Sequence, residues 1–108
     1  MNDATLEARI IIFIVEQTNA NLEKISLETR LAEDLGIDGD DALEFFENFS
    51  QEFQVDLSNF QFDKYFGSEA GFNPLTTFLS RPKHKLETIT TKDLVMAAIA
   101  NKWDKKSF

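Results

Sequence analysis

Leu6, Ile10, Phe13 and Ile14 recur at the spacing that gathers apolar side chains on one side of an amphipathic helix, and with Asp3 as N-cap this predicts a helix over residues 4–18. The run from Ile10 to Val15 would also suit a buried strand. The apolar spacing extends beyond that run, however, and no turn residue interrupts it before Asn19, so length favours helix. A second stripe, Ala42, Phe46, Phe49 and Phe53 with Leu43 and Ser50 beside it, predicts a helix over 39–54. Its outer ridge is Asp40, Glu44, Glu47 and Gln51. Phe45 lies off the inward stripe, either exposed as a contact residue or part of a broader buried face. Asp38 as N-cap makes Gly39 the first helical residue and sets three carboxylates near the positive end of the helix dipole.

Ser58 is placed to cap a short third helix over 59–66, with Phe62 and Phe66 inward, Phe60 or Tyr65 flanking, and Gly67 ending it. The last helix has the most complete local signature. Thr90 and Asp93 form a capping box, Ile89 and Leu94 a hydrophobic staple, and the pattern runs over 91–104 through Trp103. Lys102, Lys105 and Lys106 suit the negative end of its dipole. In the connection from Asn19 to Glu33 the apolar Leu22, Ile25, Leu27 and Leu31 predict a loop pinned to the core. Residues 67–88, with Gly71, Pro74, Pro82 and the basic group Arg81 to Lys85, read as an inserted irregular segment packed on the domain by Phe72, Leu75, Phe78 and Leu79.

At 108 residues the chain reads as one all-α domain, large enough to bury a core without metal or disulfide support. It has no cysteine, which excludes disulfides, thiolate catalysis and cysteine-based zinc sites and suits a reducing cytoplasm. Neither a signal peptide nor a membrane span is expected. The net charge of -8 hides an asymmetry. Up to Asp63 there are 15 acidic residues and three basic ones; from Lys64 onward there are 4 acidic and 8 basic. No base occurs between Arg30 and Lys64. Such a surface repels nucleic-acid phosphates and favours a basic protein partner, although a solvated acidic face that aids solubility has the same composition.

The segment Glu33-Asp34-Leu35-Gly36, Asp38, Asp41, Leu43-Glu44 and Glu52-Phe53, preceded by Leu31, resembles the attachment-site region of acyl carrier proteins. Ile89-Thr90-Thr91 is similar to the approach to that family's final helix. Two matches in the right order are more specific than either alone. The resemblance implies an acyl-carrier-protein-like four-helix bundle with an extended first loop, covering most of the chain except the insertion. It also implies that Asp38, Asp41, Glu44 and Glu47 dock basic patches on partner enzymes.

Gly39 stands where such carriers esterify a serine to 4'-phosphopantetheine, and glycine has no oxygen with which to form that ester. Asp40 replaces the apolar residue usual beside it. Ser50 and Ser58 fall at the wrong places to substitute. The chain is similar to bacterial carrier-like proteins of unknown function that have lost the serine and carry an insertion. No cofactor is expected.

Other chemistries fit less well. Counting from Asp34, a calcium loop would place Gly39 sixth, but Gly36 and Phe45 then occupy ligand positions. His84 lies between lysines with no cysteine or acid pair nearby. Paired catalytic carboxylates need a cleft that separates their pKa values, and no phosphate-binding glycine loop or nucleophile elbow is present. The eleven phenylalanines suit either a close-packed core or a cavity for a free lipid chain. The expectation is therefore a non-enzymatic binding protein whose Asp38, Asp40, Asp41, Glu44 and Glu47 meet a basic groove, one candidate being an enzyme that also binds true carriers. The rivals are a working acyl or peptidyl carrier and a small acidic regulator or inhibitor that reuses the bundle.

Overall fold

The structure is a computed structural model that describes residues 3–37, 39–62, 65 and 87–103. The described part is all-α, with helices α1 (Asp3–Thr18), α2 (Gly39–Phe53) and α3 (Thr91–Ala100). Among the described residues there is no strand, only two isolated bridges between loop segments. The predicted insertion at 67–88 lies outside the described residues apart from its last two positions.

In α1, Ile10, Phe13 and Ile14 are buried and Leu6 is half-buried, as the spacing requires. The helix stops where Asn19 adopts a left-handed φ of 60°, its N–H donating to the Val15 carbonyl at 2.8 Å. Asparagine tolerates that conformation better than most residues. The Thr18 hydroxyl donates to the Ile14 carbonyl at 2.7 Å and accepts from the Ala20 N–H at 3.1 Å, which steers the chain out of the helix.

The following connection is short, hydrogen-bonded pieces. Asn21 caps a 3-10 turn at Leu22–Lys24, and Ile25 is buried. Residues 31–35 then make one turn closed by a left-handed glycine cap. The Ile37 N–H donates to the Leu31 carbonyl at 3.1 Å and the Gly36 N–H to the Ala32 carbonyl at 3.0 Å. Gly36 takes the left-handed position (φ 71°) that glycine adopts without cost, and buried Leu31 and Ile37 supply the apolar contact that accompanies this motif. The loop is tied to the residues leading into α3: the Leu31 N–H donates to the Ile89 carbonyl at 2.9 Å, and the Thr91 and Lys92 N–H groups to the Thr29 and Leu27 carbonyls at 3.0 Å each. The expectation of a pinned loop holds at Ile25, Leu27 and Leu31, whereas Leu22, 56% exposed, takes no part in it.

The start of α3 matches its sequence signature. The Asp93 N–H donates to Thr90 Oγ1 at 3.3 Å, Asp93 Oδ2 accepts from the Thr90 N–H at 2.9 Å, and Ile89 and Leu94 are both buried. Its end does not match. The helix stops at Ala100 instead of 104, because Asn101 turns left-handed (φ 60°) and its side chain donates to the Gln54 carbonyl at 3.2 Å. Trp103 is buried beyond the helix, its N–H donating to the Asp56 carbonyl at 2.8 Å while the Asp56 N–H donates to the Asn101 carbonyl at 3.0 Å. Pairing with the segment after α2 holds the indole in the core, and Lys102 lies outside the last helical turn.

Ser58 does not cap a helix at 59. Its N–H donates to Asp56 Oδ1 at 2.8 Å in a turn, and helical conformation resumes at Phe62 and Tyr65. Tyr65 is buried and Phe62 only half-buried, the reverse of the expected roles, while Phe66 lies outside the described residues.

Aromatic rings fill the space between α1 and α2. Phe13 lies 5.2, 6.1 and 5.5 Å from Phe45, Phe49 and Phe53, centroid to centroid. Phe46 continues the cluster to Phe60 at 4.6 Å and to Trp103 at 6.1 Å, and the Trp103 indole N–H donates to the Tyr65 hydroxyl at 3.4 Å. Edge-to-face and offset pairs at such separations each add about 0.5–1.5 kcal/mol beyond the area they bury. Phe45, only 2% exposed, belongs to this core, so the inward face of α2 is broad. Leu43 does not, at 51% exposed.

One core group is unsatisfied. Thr91 is fully buried, and its hydroxyl has no hydrogen-bond partner among the described residues. Removing an unpaired buried hydroxyl while keeping side-chain shape recovers its desolvation cost, so Thr91→Val is expected to raise the unfolding free energy by about 1 kcal/mol, read as a higher denaturant midpoint at unchanged slope.

Candidate functional site

The outer face of α2 carries four exposed carboxylates, Asp40, Asp41, Glu44 and Glu47. They lie there because the opposite side of the helix, Ala42, Phe45, Phe46, Phe49 and Phe53, is committed to the core. None of the four makes an ion pair or side-chain hydrogen bond with another described residue; the single salt bridge among the described residues is Arg30 with Asp34 at 2.9 Å. Asp38, expected to join them as N-cap, lies outside the described residues, as do His84 and the basic group Arg81 to Lys85.

The four acids are not equivalent energetically. Asp40 and Asp41 sit in the first turn, where free N–H groups and the helix dipole favour negative charge. Glu44 and Glu47 lie deeper and gain nothing from the helix start. Glu44 faces Asp40 four residues away and Asp41 and Glu47 three residues away, and like charges at those intervals each cost a helix a few tenths of a kcal/mol. Nothing among the described residues gives these two positions a reason to be acidic.

Leu43 lies on this same outward side, three residues from Asp40 and four from Glu47, and is the one large apolar side chain exposed on α2. The sequence pattern places it beside the inward stripe because it neighbours Ala42; the turn of the helix takes it outward. A notch of about 200 Å³ opens beside the helix start between Leu35, Ile37, Asp41, Glu44, Phe45 and Gln17. Gln17 also accepts a hydrogen bond from the Asn48 side chain at 3.0 Å, which ties the end of α1 to the middle of α2.

Gly39 opens α2, as expected, with a φ of +55°. That is the left-handed region, which costs an L-residue roughly 1–2 kcal/mol and glycine almost nothing. The position therefore lacks a side-chain hydroxyl and also holds a backbone conformation that a serine would adopt only under strain. Ser50 does not stand in for it, since its hydroxyl donates to the Val55 carbonyl at 2.7 Å to close the end of α2. Among the described residues no three histidine, cysteine, aspartate or glutamate side chains are grouped to hold a metal ion. No helix among them is long and apolar enough to cross a membrane.

Two carboxyls away from the ridge are held below the usual carboxylate range. Asp34 is lowered first by the hydrogen bond from the Arg30 guanidinium and then by that from the Arg30 N–H, at 2.8 Å. Asp56 is lowered by the Ser58 N–H. A depressed folded pKa contributes stability above the unfolded value, near 3.8 for aspartate, and loses it as pH falls through the folded value. The stability difference between wild type and Asp34→Asn is therefore expected to be constant near neutral pH and to shrink below about pH 4, measured as the urea midpoint against pH. Both groups are exposed, and the effect is small.

The described residues thus define an all-α domain with one unpaired acidic helix face. The chain belongs to the family described as "Protein of unknown function (DUF1493)", whose model matches residues 3–105. No curated protein and no solved structure matches the chain.

Proposed function

We propose that the chain is an acyl-carrier-protein-like four-helix bundle that carries no phosphopantetheine and works as a non-enzymatic binding protein, docking a basic protein surface through α2. The helical conformation of Phe62 and of Tyr65 supports a third helix of the bundle. The observation that carries the reading is the pair Glu44 and Glu47, exposed, unpaired with any described residue and mutually repulsive, on a face whose inner side is fully used by the core. Charge that costs the helix stability is accounted for by a partner of opposite charge, whose approach it steers. Leu43 in the middle of the face offers that partner an apolar contact.

The reading fits a cytoplasmic protein that meets an enzyme or regulator, including one that also meets true carriers. Its docking half is tested by reversing Glu44 and Glu47 to lysine and measuring partner binding. Its cargo half is tested by intact mass after incubation with coenzyme A and a broad-specificity phosphopantetheinyl transferase. Wild type is expected to keep its mass. Gly39→Ser is expected to lose about 1 kcal/mol of stability from the left-handed φ and to stay unmodified, because its hydroxyl sits on a distorted helix start and beside Asp40. An arm added to the wild-type chain would favour the rival reading of a working acyl or peptidyl carrier.

A further inference from the structure

We draw no further inference here: the strongest candidate, the notch between the end of α1 and the start of α2 lined by Leu35, Ile37, Phe45, Asp41 and Glu44, belongs to the acidic face already described, and no buried, unpartnered polar side chain among the described residues lines it to specify a ligand of its own.

Discussion

Phe49→Ala is expected to lower the unfolding free energy by about 3–5 kcal/mol, the range for removing a fully buried aromatic ring from a packed core. Phe49 is 0% exposed and lies 6.1, 6.1 and 5.4 Å from Phe13, Phe46 and Phe53. Alanine would therefore remove its buried surface, break three ring contacts and leave a cavity that the flanking rings cannot all close. Domains of this size are typically stable by about 5–15 kcal/mol, so the variant should sit near the edge of folding at room temperature. The measurement is a urea titration of both proteins, with the midpoint shifted and the slope kept. Leu43→Ala, on the same helix but facing outward, is the matched control, expected within about 0.5 kcal/mol of wild type. Equal effects at the two positions would mean that α2 is rotated from the orientation described.

Reversing both Glu44 and Glu47 to lysine is expected to do the opposite: leave stability nearly unchanged and remove partner binding. The two substitutions delete like-charge pairs along the helix face, so the folded state loses nothing. A basic partner surface, by contrast, would meet two new like charges. Electrostatic steering then works against encounter, and the association rate should fall on the order of 10- to 100-fold at low ionic strength. The effect should diminish as salt screens the field over about 10 Å. Asp40 and Asp41 make a less clean test, because reversing them also sets positive charge against the start of α2.

The parts of this fold that were legible in the sequence are those fixed by local chemistry. The capping box at Thr90 and Asp93, the stop at Asn19 and the burial of Ile10, Phe13 and Ile14 each follow from residues within a turn of one another. The expectations that failed depend on distant partners. Apolar and basic residues continue past Ala100 as if the helix did, yet Asn101 is captured by a carbonyl at the end of α2 and Trp103 by the backbone of Asp56. Ser58 has the right chemistry for a cap, but the chain turns at Ser58 and Asn59 and no helix follows there for it to cap. On α2 a narrow inward stripe leaves Phe45 undecided; the rings of Phe13 and Phe46 settle it inward.

The candidate site was partly legible for the same reason. The outward position of Asp40, Glu44 and Glu47 follows from helical periodicity alone, whereas Leu43, next to Ala42 in sequence, stands about 100° further round the helix and faces outward. That Gly39 lacks a hydroxyl is evident from its identity. Its left-handed φ is a property of the backbone that glycine permits without requiring, and no residue pattern announces it.

The central claim, an acidic docking face on a carrier-like bundle, is tested most directly by binding of the wild-type and Glu44→Lys/Glu47→Lys chains to the partner that wild type captures from its native cell, at low and at high salt. Binding that is strong for wild type at low salt, weakened by salt and lost in the reversed variant at unchanged stability is the predicted result. Equal, salt-insensitive binding by both chains would contradict it.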